Sequence, residues 1–188
     1  MNRLRAGDLM FGPIGGLAGN LIVGPAQLLL AIAEPGLIWR QGVRKWYGVR
    51  HCGIVTPNGR LVQAMPGGVE EIELTAKHWT SQYVYIRPRY WTGQGFDIAE
   101  IAHSYIGTPY DFATYGAIPA YRRGLRTERI KRIISDTDTM MCSRLVDASL
   151  ADAGFHLFDD GRLPGNVTPS EAFRRLLMMP TEMILRPA

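Results

Sequence analysis

An α+β fold is predicted for this chain by three observations: a strand–turn–strand signal at residues 49–64, separate amphipathic helix patterns in the second half, and 46% hydrophobic residues over 188 positions with no linker, repeat or low-complexity tract. A chain of that size buries one sizeable core, so a single domain over residues 1–188 is expected. The first feature along it is a stretch from Leu9 to Ala33 without a charged residue. Gly12, Pro13, Gly15, Gly16, Gly19, Gly24 and Pro25 interrupt that stretch, which predicts a Gly-rich loop and then a short helix from about Pro25 to Ala33.

Next, Val49-Arg50-His51-Cys52-Gly53-Ile54-Val55 reads as a strand, Thr56-Pro57-Asn58-Gly59 as a turn, and Arg60-Leu61-Val62-Gln63-Ala64 as the returning strand. Pro57 and Asn58 suit a type I turn, and Gly59 suits the left-handed position that follows. This three-residue loop pairs Thr56 with Arg60 and Gly53 with Gln63. His51 and Gln63 then share a face, whereas a two-residue loop would slip the register by one and send Gln63 to the other side. Cys52 points away from His51 and reads as a small buried hydrophobe. Val69 to Leu74 and Tyr83 to Arg87 read as further strands, and Thr181 to Leu185 as a last edge strand. A helix is expected over Asp97 to Tyr105, started by Asp97 and Glu100, with Ile98, Ile101, Ala102 and Tyr105 inward and His103 on its flank. A second is expected over Thr127 to Ile134. Thr168-Pro169-Ser170-Glu171 forms a capping box with proline at the first helical position, opening a helix through Leu177.

The chemistry concentrates at Cys142. Asp136 to Val146 reads as a polar turn running into a helix over Cys142 to Ala153, with the thiol in its first turn. Asp138 or Thr139 is placed to cap the free amides, Leu145, Val146, Ser149 and Ala153 form the inward face, and Gly154 ends the pattern. The positive end of a helix dipole favours thiolate over thiol, and thiolate is the reactive species. With His51 as base and Gln63 as orienter, thiol, imidazole and amide make up the working parts of a cysteine hydrolase. A neutral amide orients the ring but lends an imidazolium no charge, so a carboxylate at position 63 is expected to do at least as well.

Gly7-Asp8-Leu9, His51-Cys52-Gly53-Ile54-Val55, Leu61-Val62-Gln63-Ala64-Met65-Pro66-Gly67-Gly68-Val69, Ile106-Gly107-Thr108-Pro109-Tyr110-Asp111, Cys142-Ser143-Arg144-Leu145-Val146 and Thr168-Pro169-Ser170 resemble the successive landmarks of the circularly permuted NlpC/p60 proteins. These are papain-like thiol hydrolases related to the lecithin retinol acyltransferase group. The resemblance spans nearly the whole chain, and histidine precedes cysteine, the reverse of ordinary papain-like enzymes. It implies a small antiparallel sheet packed against helices, a first strand at Gly7-Asp8-Leu9, and an apolar Gly- and Pro-containing insertion at about residues 10–40. It also implies a nucleophile at Cys142 at a helix N-terminus, a base at His51 and a third polar residue at Gln63, a position often Glu or His in relatives. Tyr110 and Asp111 would line the substrate groove.

The implied activity is that of an amidase or endopeptidase cleaving peptidoglycan peptides, with the backbone N–H of Cys142 helping to hold the oxyanion. Two other functions stand beside it: a lipid acyltransferase or esterase of the retinol-acyltransferase type, and a structural tail or assembly protein that keeps the fold with little activity. The segment from Leu9 to Ala33 offers a docking surface for other proteins. Its glycines and prolines disfavour a membrane span, and no room is left before the first strand for a signal peptide. The expected protein is therefore made in the cytoplasm, and a wall-cutting enzyme of that kind can leave the cell as part of a phage tail.

Net charge is +4, and much of the excess lies between Tyr121 and Arg132. That run reads as a solvated helix face: no aromatic side chains are interleaved for base stacking, and no nucleic-acid partner is expected. Two cysteines do not make a disulfide framework. His78, His103 and His156 are scattered without ligand spacing, so neither a metal nor another cofactor is implied.

Overall fold

The computed structural model describes residues 4–14, 49–80, 82–89, 93–163 and 165–185. Within them the chain is α+β, with a six-stranded antiparallel sheet and five α-helices. Strand β1 (Leu9–Gly12) opens the fold, and Leu9, Met10 and Phe11 are fully buried, so the apolar run begins as core. The strand expected at Gly7-Asp8-Leu9 thus starts later, because Gly7 turns the chain with φ of 81°. The helix expected over Pro25 to Ala33, and most of the insertion at 10–40, lie outside the described residues.

Strands β2 (His51–Val55) and β3 (Leu61–Met65) form the expected hairpin, with Gly53 opposite Gln63. The turn closes through Thr56 N–H to the Arg60 carbonyl and Gly59 N–H to the Thr56 carbonyl, each at 2.9 Å, while Gly59 takes φ of 72°. The remaining strands are β4 (Gly68–Ile72), β5 (Val84–Pro88) and β6 (Thr181–Leu185). The order across the sheet is β4-β3-β2-β1-β5-β6. A 3-10 turn at Ala76–Trp79, not foreseen from sequence, joins β4 to the segment before β5.

The helices are α1 (Gly95–Ser104), α2 (Ala113–Arg122), α3 (Glu128–Ser135), α4 (Cys142–Asp152) and α5 (Pro169–Leu177). The α5 capping box is present as expected: Thr168 Oγ1 accepts from Glu171 N–H, and the Glu171 carboxylate accepts from Thr168 N–H at 2.9 Å. Helix α1 starts two residues before Asp97 and has no side-chain cap. Helix α2 was not expected, since Gly116 and Pro119 inside it depress its helical pattern.

Helix α4 packs on β2 and β3, where Cys52, Ile54, Val62 and Ala64 join Leu145, Val146 and Leu150 in one core. Phe11 of β1 meets Phe173 of α5 with ring centroids 5.1 Å apart. Met10, Val55, Leu61, Tyr83 and Tyr85 make a smaller cluster on the opposite face of the sheet. No helix among the described residues is long and apolar enough to cross a membrane.

The start of β1 is fixed by two close contacts. Asp8, fully buried, accepts from Arg87 Nε and Nη2 at 2.7 Å each, tying β1 to β5. Gly7 lies against α1 so closely that a Cβ would stand 2.5 Å from Gly95 Cα. Gly7→Ala is therefore expected to lower stability by more than about 2 kcal/mol, through both its left-handed backbone and the clash, as read by urea unfolding.

Candidate active site

Cys142 is the first residue of α4, as expected, but the cap is not. Met141 occupies the N-cap position without a side-chain hydrogen bond. Asp138 and Thr139 stand too early in the chain to take that position; Asp136 Oδ1 accepts from Asp138 N–H at 3.1 Å and its Oδ2 from the Thr139 hydroxyl at 3.3 Å. Ser143, which could also have served the helix end, donates instead to the Val167 carbonyl at 2.6 Å. The first intrahelical bond runs from Leu145 N–H to the Met141 carbonyl. Hence the N–H groups of Cys142, Ser143 and Arg144 have no intrahelical acceptor, and their dipoles converge where the thiol sits.

Two backbone ties hold this helix start in place. Met140 N–H donates to the Pro109 carbonyl at 2.8 Å, and Asp111 N–H to the Met140 carbonyl at 3.1 Å, a short parallel bridge. The same loop is fastened to β4 through Val69 N–H to the Thr108 carbonyl and Gly107 N–H to the Val69 carbonyl, both at 2.9 Å. The position of Cys142 thus depends on the strand that neighbours β3.

His51 opens β2, so its ring stands at the end of the strand, where a helix start can approach it. Its Nε2 lies 2.7 Å from Gln63 Oε1, which puts both side chains on one face as the turn chemistry required. Its Nδ1 has no hydrogen-bond partner, although the ring feels the charge of Cys142. Gln63 Nε2 continues the chain, donating to Glu70 Oε1 at 3.0 Å. Cys142 is fully buried and His51 is 3% exposed, so charges here interact with little screening by water.

The environment favours the ion pair. For Cys142 the largest influence is the adjacent Cys52 thiol, which stabilises the thiolate; burial opposes this, and the interaction with His51 adds to it, leaving the thiol well below its ordinary range. For His51 burial disfavours the charged ring, but the Cys142 thiolate, then Gln63 and the Glu70 charge, outweigh it and raise the imidazole. Cys52 moves the opposite way, pushed up by burial and by the neighbouring thiolate, and so stays a thiol. It is buried as expected, but it is not inert.

Tyr115, buried on the unforeseen helix α2, also interacts with Cys142, and its hydroxyl lies 3.1 Å from that of Tyr110. Tyr110 therefore reaches the site through Tyr115. Asp111, 2% exposed, turns inward: Oδ1 accepts from Thr114 N–H at 2.9 Å, and Oδ2 lies 3.9 Å from Nη1 of the buried Arg144. Among the described residues no group of three His, Cys, Asp or Glu side chains could hold a metal ion. In comparisons with known proteins, no family model matches the chain and no curated protein matches it.

The pH behaviour follows from the two shifts. A lowered thiol keeps its thiolate until pH falls through that lowered value, and a raised imidazole keeps its proton until pH rises through the raised one. The two shifts run toward each other, and where the thiol value lies below the imidazole value the ion pair is populated between them. Peptide-resolved alkylation of Cys142 by iodoacetamide should therefore stand at a larger fraction of its plateau rate at pH 7 than that of an ordinary thiol, which with a pKa of about 8.5 is only about 3% ionised there. His51→Asn should move the midpoint up and slow the reaction at pH 7 by about tenfold or more. The midpoint, rather than the absolute rate, is the informative quantity because the thiol is enclosed.

Cys52 can be tested by the same measurement. Cys52→Ala removes the donor beside the thiolate and should raise the Cys142 midpoint, whereas Cys52→Ser keeps a hydroxyl donor and should hold it nearer the wild-type value. Equal midpoints in all three proteins would show that Cys52 only fills space.

Proposed function

We propose that this protein is a thiol hydrolase of the permuted NlpC/p60 type, cleaving an amide bond in peptidoglycan peptides. The observation that carries the reading is a cysteine at the uncapped start of α4, held below the ordinary thiol range beside a histidine whose far nitrogen is fixed by Gln63. The resemblance of the successive motifs, with histidine ahead of cysteine, supports the wall-peptide substrate.

In this mechanism Cys142 Sγ attacks the carbonyl carbon, and the electron pair of the C=O bond moves onto oxygen. The Cys142 N–H and the helix end receive that charge. His51 then delivers its proton to the departing amine as the C–N bond breaks, leaving a thioester on Cys142 and a neutral ring. A water molecule gives one proton to His51 and attacks the thioester, the thiolate is expelled, and the acid product leaves and loses its remaining proton to solvent, so the thiolate–imidazolium pair is restored. Gln63 holds the ring throughout without exchanging a proton. Tyr115 lies beside Cys142, and Tyr110 joins it through the paired hydroxyls.

Purified protein incubated with purified sacculi should release new amino termini, and Cys142→Ala should reduce this to background while the variant stays folded. Cys142-dependent transfer of an acyl chain from phospholipid, without action on sacculi, would replace the wall reading with the lipid one. No turnover on either substrate would favour a structural role.

A further inference from the structure

The third member of the chain from Cys142 is an amide, and an amide has no polarity of its own. Its oxygen accepts, its nitrogen donates, and either end could face the histidine. Something outside Gln63 must decide. Glu70 stands directly opposite Gln63 in the β3–β4 ladder, and its Oε1 receives the Gln63 Nε2 donor at 3.0 Å. Glu70 is exposed, whereas Gln63 and His51 are 6% and 3% exposed, so it is the solvent-side anchor of an otherwise enclosed chain.

We propose that Glu70 is a positioning residue that sets the polarity of the whole chain, fixing His51 with its hydrogen on Nε2 and its lone pair on Nδ1, toward Cys142. This rests on the reading of Cys142 and His51 as the reacting pair. An ionised carboxylate only accepts, so Glu70 holds the Gln63 NH2 group toward β4 and leaves the Gln63 carbonyl facing His51. That carbonyl also only accepts, so Nε2 must carry the hydrogen, and the basic nitrogen is Nδ1, the one without a hydrogen-bond partner. With the opposite polarity Nδ1 would carry the hydrogen in the neutral ring and could not take the thiol proton. Glu70 also places a negative charge behind the ring, which the neutral amide lacks.

This reverses one expectation from sequence. A carboxylate at position 63 would face Glu70 directly across two neighbouring strands, lose the Nε2–H donor and add like-charge repulsion, so Gln63→Glu should harm the site rather than help it.

The test is the pH dependence of Cys142 alkylation by iodoacetamide, resolved by peptide, in the full chain. Glu70→Gln, which still offers an acceptor but no longer forces one polarity, should raise the Cys142 midpoint slightly. Glu70→Lys, which can only donate, should turn the Gln63 amide around, raise the midpoint markedly and slow alkylation at pH 7 by about tenfold. Gln63→Glu alone should be similarly impaired. Combining it with Glu70→Gln should recover most of the loss, because the amide introduced at 70 donates to the carboxylate introduced at 63, which accepts from Nε2. A purely structural role predicts no such recovery, and thermal midpoints check that each variant is folded. A Glu70→Lys midpoint equal to wild type, or a double variant no better than Gln63→Glu, would overturn the role of Glu70 while leaving the reacting pair intact. A wild-type Cys142 that titrates as an ordinary thiol would instead overturn the pair, and this proposal with it.

Discussion

The candidate site depends on one register. Gly53 faces Gln63 because Pro57, Asn58 and Gly59 make a three-residue turn, and Gly59 takes the left-handed conformation that this turn needs. A slip of a single residue would carry Gln63 to the opposite face and leave the Nε2 of a buried histidine without its acceptor, an arrangement that costs about 1–3 kcal/mol. The same register sets Gln63 opposite Glu70 through the next pair of strands, and β4 in turn fastens the loop that carries the Cys142 helix start. A tight turn on the surface thus governs an arrangement that runs through three strands to a helix terminus.

Burial would normally keep both the thiol and the imidazole neutral, since each loses hydration when charged. Here the shifts run the other way: the Cys52 thiol and then His51 favour the Cys142 thiolate, Cys142 favours the charged ring of His51, and the N–H groups at the uncapped start of α4 act in the same sense. The missing side-chain cap matters in this respect. A serine or aspartate at the N-cap would have satisfied one of those N–H groups and reduced what remains for a thiolate or an oxyanion. Met141 at that position leaves them available.

The parts written in local chemistry could be read from the sequence: the hairpin and its register, the capping box of α5, the edge strand β6, and Cys142 at the first helical position. What stayed hidden depends on long-range contacts or contradictory local signals. Helix α2 contains Gly116 and Pro119 and runs into a basic stretch, so nothing in its composition announces a helix, and Tyr115 was lost with it. Glu70 reads as an ordinary exposed strand residue until the β3–β4 pairing puts it opposite Gln63. The alternation of β2 sends Cys52 away from His51, as expected, but only the docking of α4, whose start lies at the end of β2, reveals that Cys142 interacts with both side chains. Likewise neither Asp138 nor Thr139 caps the helix, because the chain enters it only at Cys142 and the N-cap falls on Met141.

The central claim is that Cys142 and His51 exist as a thiolate–imidazolium pair in the free protein. The most direct measurement is an ultraviolet difference titration of wild-type protein against Cys142→Ala, which follows thiolate absorbance with no substrate or probe. A thiolate signal that persists well below the ordinary thiol range and disappears in one step on acidification is the predicted result. A signal that appears only at or above pH of about 8.5, the value of a free cysteine, would contradict it.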